Sequence, residues 1–220
     1  RQCDDRRGFV AQRDVPPGLS GMPPTRPTRC TGVVLAGGAG TRLGGQAKGL
    51  LEVGGRRLVD RVVAALRGAA DDLVIVANDP AAVDWVSGVR VMGDVWEERG
   101  SLVGLHAALA YSSGAALIVG WDMPFLSTAL LRALRSTGEQ RGNAVVPEGE
   151  HGLEPLCAYY PSSCREVAEA QLARGELRLS AFLERLPALE VFPRTEVERF
   201  GVLRVIFMNV DTSEDLAGAD

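Results

Sequence analysis

The sequence predicts an α/β protein of three layers, with a mostly parallel sheet covered by helices on both faces. Three observations carry this. From Gly32 onward short apolar segments alternate with stretches of helical pattern, as strands do when crossover helices bury both faces of a sheet. The first apolar segment breaks into six glycines within the thirteen residues 37–49, the composition of a ligand loop at a strand end. The chain has 220 residues, 46% hydrophobic and 24% charged, which suits one soluble domain with a large core.

Residues 1–29 stand apart. Six arginines and three aspartates give them a charge of +3, leaving −7 for the rest, and five prolines fall between Pro16 and Pro27. This predicts a disordered arm over 1–29 and a folded domain over 30–220. Met22 is a candidate start for a shorter product, and Asp4, Asp5 and Asp14 argue against a transit peptide.

The first strand is expected at 32–36 (GVVLA) and runs into GGAGTRLGGQAKGLL. Glycine lets backbone approach a ligand and turn N–H groups toward phosphate oxygens, and Arg42 and Lys48 add full positive charges. Two named phosphate loops fail here. A Walker A loop needs its lysine between Gly and Ser or Thr, whereas Lys48 lies between Ala47 and Gly49. In the dinucleotide fingerprint, Gly38 and Gly40 match but Leu43 occupies the third glycine position. Lys48 is the sole lysine among 24 basic residues, a compact ammonium in a chain that otherwise uses guanidinium groups.

Helical patterns fill 57–67, 80–87, 102–112 and 127–136, and strands are expected at 73–77 (LVIVA), 89–92 (VRVM) and 115–119 (AALIV). In such sheets ligands bind beyond the carboxyl ends of the strands, where strand order reverses. That rule puts Gly37, Asn78, Asp94 and Asp122 on one rim. The second half predicts strands at 143–147, 154–160 and 189–192 and helices at 162–174 and 180–186. An extended run over 203–210 and a last helix capped by Thr212 or Ser213 follow.

Several functions are disfavoured. A formal net charge of −4 with no basic–aromatic run carries no nucleic-acid signal, and no apolar segment approaches the length of a membrane span. Cys3, Cys30, Cys157 and Cys164 form no C-x-x-C pair, and His106 and His151 are the only histidines, which argues against zinc. Scattered cysteines without a signal segment fit reduced thiols in the cytoplasm, and no G-x-S-x-G elbow is present.

Asp122, in GWDMPFL, just past an uncharged strand, suits a magnesium ligand beside nucleotide phosphates; the alternative is a turn or cap carboxylate. Asp94 opens a longer loop that closes on a ligand or merely turns the chain, while Glu97, Glu98 and Arg99 read as solvated surface. Asn209 and Asp211, two apart in FMNVDTSEDL, share a face if extended, and form either part of a metal site or an Asx lead-in to a helix. His106 reads as packing or surface.

LAGGAGTRLGG with Lys48, GWDMPFL, EPLCAYY and MNVDTSEDL together resemble the molybdenum cofactor guanylyltransferases of the MobA type, over residues 31–216. The resemblance implies a Rossmann-like fold of nucleotidyltransferase type. The implied reaction transfers GMP from GTP to the terminal phosphate of molybdopterin that already carries molybdenum, with Mg2+ required and pyrophosphate released. By similarity Leu35, Ala36 and Gly37 contact the guanine and ribose side, with Gly38 beside them in the loop. Lys48 meets the phosphates, Asp94 the nucleotide, and Asp122 both metal and nucleotide, while Arg42 stabilises charge as pyrophosphate leaves. Transient contact with other cofactor-biosynthesis proteins is also implied. The chain departs from the family pattern at Ala47, where aspartate is usual, and at Val76, where asparagine is usual, with Asn78 two residues on. Asp211 replaces a common asparagine. LAGG rather than LAAG favours the guanine branch over CTP-using relatives, and the P-L-T and P-K segments of sugar-phosphate relatives are missing. A CTP- or sugar-phosphate-using enzyme of the same fold, or a non-catalytic nucleotide-binding module, are the alternatives.

Overall fold

Six residues in a row, Cys30–Leu35, are buried and form β1, the axis of the sheet. The computed structural model describes residues 29–37, 42–43 and 46–210, with the backbone alone at 42, 43 and 46. The expected arm, apart from Arg29, lies outside the described residues, as do Cys3, Gly38, Asp211 and the helix expected after Thr212.

After β1 come two short hairpins, β2 (Arg42–Leu43) with β3 (Gln46–Ala47) and β4 (Glu52–Val53) with β5 (Arg56–Arg57). Then follow α1 (Leu58–Arg67), β6 (Asp72–Val76), β7 (Arg90–Met92), α2 (Ser101–Tyr111), β8 (Ala115–Gly120) and α3 (Thr128–Arg141). The second half adds β9 (Ala144–Pro147), β10 (Cys157–Tyr160), α4 (Cys164–Leu172), α5 (Leu179–Arg185) and β11 (Leu189–Phe192). Two one-turn helices, α6 (Arg194–Val197) and α7 (Leu203–Ile206), complete the described chain.

The seven-stranded sheet has the order β11-β9-β10-β8-β1-β6-β7, and every pairing is parallel except those of β10 with β8 and β9. The chain therefore leaves β1 toward β6 and β7, then returns to add β8 on the other side. That reversal leaves a crevice beyond the carboxyl ends of β1, β6 and β8. Alternation along each strand separates two cores. Val34, Ile75, Leu117, Val119 and Tyr159 face α1 and α3, whereas Val33, Leu35, Val74, Ile118 and Tyr160 face α2, α4 and α5. Helix α2 is buried from Leu102 through Leu109 except at Gly104, because α4 covers the side turned from the sheet.

The three-layer, mostly parallel architecture matches the sequence expectation, with local corrections. The segment expected as helix over 80–87 is a 3-10 turn at Pro80–Asp84, started by the Asp79 carboxylate accepting from the Ala81 N–H at 2.9 Å. The run expected to extend over 203–210 instead contains α7, because Leu203, Ile206 and Phe207 reach the core at helical spacing. The strand expected at 154–160 begins only at Cys157, since Glu154 accepts the Cys157 N–H in a turn. The β4–β5 hairpin was not anticipated, although Gly54 and Gly55, at φ 55° and 68°, supply the left-handed pair such a turn needs.

Candidate nucleotide site at the reversal of strand order

Backbone hydrogen bonds carry the sheet past its formal strand ends and fix the rim. Ala36 donates to the Val76 carbonyl at 2.9 Å, Ala77 to Met92 at 2.8 Å, and Trp121 to Leu35 at 3.1 Å. Around these ends lies a cleft of about 390 Å³. Leu35 and Gly37 enter it from β1, Asn78 from β6, Asp94 from beyond β7, Arg99, Gly100 and Ser101 from the start of α2, and Trp121 and Asp122 from the end of β8.

Lys48 is brought to this rim by a 3-10 turn, Lys48–Leu50, that follows the glycine loop. It is 4% exposed, and its Nζ donates to Asp122 Oδ2 at 3.1 Å. The Asp122 side chain keeps 25% of its surface exposed, so one carboxylate both neutralises a nearly buried ammonium and opens to the cleft. Its other oxygen occupies space that only glycine leaves: a Cβ on Gly120 would lie 2.8 Å from Asp122 Oδ1. From the far end of the chain, the Val210 N–H donates to the Asp122 carbonyl at 3.0 Å.

Trp121 forms the floor beneath the lysine turn. It is 3% exposed and stacks on Trp85 with ring centroids 5.1 Å apart and planes at 26°. The ring lies directly against Gly49: a Cβ there would sit 3.0 Å from Cζ3 and 3.1 Å from Cδ2, and closer still to Cε3.

Across the cleft, Asn78 and Asp94 hold each other. The Asn78 amide donates to Asp94 Oδ2 at 2.6 Å and its carbonyl accepts the Asp94 N–H at 2.9 Å. The loop that follows is pinned again where Trp96 meets the edge of His106, with centroids 6.2 Å apart. His106 is 2% exposed, and neither ring nitrogen has a hydrogen-bond partner among the described residues. Burial pushes its pKa down; Glu169 opposes this and Arg165 adds to it. Burial raises the thiols of Cys30, Cys157 and Cys164 well above their ordinary range, so none is a ready nucleophile at neutral pH.

The structure thus brings Leu35, Gly37, Asp94 and Asp122 to the cleft and ties Lys48 to it. Ala36 differs: its side chain joins the core on the α1 face, and only its backbone lies at the rim. The Arg42 side chain, Gly38 and Asp211 lie outside what is described. Asn209 is exposed and adjoins Val210, so the chain does return to the Asp122 loop. Val76 is a buried strand residue paired with Leu35 and Met92, and Asn78 is the one that reaches Asp94. Two residues were missed. Arg99, read as solvated surface, lines the cleft, and Trp121 underlies the lysine turn. Tryptophan directly before an aspartate at a strand end was the available signal for the second.

The model of the MobA-like NTP transferase domain matches residues 32–190. A protein of Desulfosudis oleivorans named molybdenum cofactor guanylyltransferase is 36% identical over 192 residues, covering 86% of this chain and 94% of its own. Its counterpart of that name from Cereibacter sphaeroides is 34% identical over 197 residues, covering 87% and 96%. Among solved structures, molybdopterin-guanine dinucleotide biosynthesis protein A from Archaeoglobus fulgidus aligns with a TM-score of 0.73 and 29% identity, over 86% of this chain and 96% of that one.

Proposed function

This chain belongs to the MobA-like NTP transferase family, and from that membership we propose that it is a molybdenum cofactor guanylyltransferase. It transfers GMP from GTP to the terminal phosphate of Mo-molybdopterin and releases pyrophosphate. The observation that carries the reading is the Lys48–Asp122 pair at 3.1 Å, which ties a lysine to a cleft that Asp122 and Asp94 both line.

Family members use a divalent cation, which we assign as Mg2+. Asp122 fits it: the carboxylate is partly open, seated in the space over Gly120, and made of hard oxygen donors. Among the described residues no group of three or more His, Cys, Asp or Glu could hold a metal. An ion at Asp122 would be held by one or two carboxylates together with the substrate phosphates. Asn209 or Asp211 is the second protein ligand in this reading, since the chain reaches the Asp122 loop at Val210. When bound, the ion supplies positive charge to the phosphate oxygens.

The chain's own residues do the rest. A terminal phosphate oxygen of the acceptor attacks the α-phosphorus of GTP in line, and the bond to the β-phosphate bridging oxygen breaks. The nucleophile is already an anion, so no side chain need act as base, and catalysis rests on positioning and charge. Lys48, held by Asp122, meets the phosphates, and Arg42 of the glycine loop neutralises the departing pyrophosphate. Leu35 and Gly37, which line the cleft, border the base and ribose together with the Ala36 backbone, Gly38 is assigned to the same role from the family resemblance alone, and Asp94, fixed by Asn78, contacts the nucleotide.

Residues 30–220 are the catalytic domain in this reading and residues 1–29 an N-terminal arm. No helix among the described residues is long and apolar enough to cross a membrane, and we place the reaction in the cytoplasm, with passing contact to other cofactor-biosynthesis proteins. Pyrophosphate release from GTP, Mg2+ and Mo-molybdopterin, with CTP in parallel, tests the reading. Preference for CTP would sink the guanine assignment, and nucleotide binding without release would favour a binding module.

A further inference from the structure

We propose that Arg99 reads the base, donating to the O6 and N7 acceptors of guanine from the loop wall of the cleft. This rests on the GTP reading above and names a specificity residue within it.

Guanine presents two kinds of hydrogen-bonding edge. One part of its edge carries donors, N1–H and the N2 amine, and another carries two acceptors, O6 and N7; a guanidinium fork matches those acceptors with two hydrogen bonds. From the segment between β7 and α2, Asp94 lines the cleft as an acceptor and Arg99 as a cationic donor, with Gly100 and Ser101 beside it. The other candidate donors are committed or weaker. The Asn78 amide is spent on Asp94 at 2.6 Å, and Lys48 lies at Asp122 across the cleft. Ser101 carries a single hydroxyl. No hydrogen bond or ion pair holds the Arg99 guanidinium among the described residues.

The loop bearing Arg99 is also held in place. Asn78 fixes it at Asp94 through two hydrogen bonds, and Trp96 anchors its middle against His106. Its end joins α2, where the Val103 and Gly104 N–H groups donate to the Gly100 carbonyl at 3.1 and 3.2 Å. Arg99 stands directly before that carbonyl, so its backbone is tied to the start of α2 while its side chain lines the cleft. Adenine would offer an amine donor where guanine has O6, opposing the guanidinium donors.

Titration calorimetry with Mg2+ and GTP, 7-deaza-GTP (which lacks the N7 acceptor), ATP or CTP tests this in the wild type, Arg99→Ala and Arg99→Lys. The wild type should bind GTP more tightly than 7-deaza-GTP by about tenfold, on the scale of one lost contact of a bidentate pair. Arg99→Ala should lose about ten- to a hundredfold for GTP, bind GTP and 7-deaza-GTP alike, and leave CTP affinity unchanged. Arg99→Lys should recover only part of the loss, because a point charge cannot make the fork. An Arg99→Ala variant that keeps the wild-type ratio of GTP to 7-deaza-GTP overturns the proposal. So does an equal loss for all four nucleotides, which would put Arg99 on the phosphates. A wild type that does not prefer GTP over CTP and ATP refutes instead the guanine reading itself. Unchanged far-UV circular dichroism and melting should accompany each variant, as Arg99 is exposed.

Discussion

Replacing Gly49 by alanine should damage both stability and turnover, although the added group is one methyl. The backbone at Gly49 is not among the positive-φ glycines, so alanine can adopt it and the effect isolates space. The new Cβ meets the Trp121 ring at 3.0 and 3.1 Å and closer at Cε3. The ring cannot yield easily, being 3% exposed and stacked at 5.1 Å on Trp85. Overpacking of this kind costs about 1–3 kcal/mol, while alanine recovers about 0.4–1 kcal/mol through lost unfolded-state freedom. A net destabilisation of up to about 2.6 kcal/mol follows, with a midpoint of about 1.3 kcal/mol, read by urea denaturation. If the strain moves the Lys48 turn or Asp122 by about 1 Å, turnover falls by up to about a hundredfold. Pairing the change with Trp121→Phe should restore part of both losses, a non-additivity expected of side chains in contact. Wild-type stability and turnover in Gly49→Ala would refute the idea that Trp121 seats the lysine turn.

Asn78→Ala should leave stability within about 1 kcal/mol, since its hydrogen bonds are exposed. It should nonetheless raise the GTP KM severalfold by freeing Asp94, as steady-state kinetics would reveal. His106 predicts the acid side of the stability curve. Its pKa is depressed in the folded state, so below the unfolded value of about 6.5 the unfolded chain binds more protons and stability falls with pH. Urea denaturation at pH 7.5 and 5 should record this fall. His106→Leu should flatten it and add about 1–3 kcal/mol at acid pH, having removed a buried group with two unpartnered nitrogens.

The sheet was legible because its central strands β1 and β8 are apolar runs buried along their whole length, and Asp122 was legible because it follows one of those runs closely. The lysine stood out through composition. Other features depend on contacts distant in sequence. Gly49 reads as one more loop glycine until Trp121, far along the chain, is placed on it. Arg99 sits beside two glutamates and has the local character of a solvated run, and only the assembled fold shows it lining the cleft. Segment 203–210 misled for a related reason. Its apolar residues suit strand or helix, and the core contacts of Leu203 and Ile206 decide for the helix.

Asp122 is the residue that would link Lys48, a divalent cation and the nucleotide phosphates. The most direct measurement is pyrophosphate release by Asp122→Asn as a function of Mg2+ concentration, at saturating GTP and acceptor. Asparagine keeps the shape but removes the charge that holds both cations, so turnover should fall at least about tenfold, on the order of one lost transition-state contact. Half-maximal activity should also move to higher Mg2+. Full turnover with an unchanged Mg2+ dependence would contradict the assignment of Asp122 as the metal ligand.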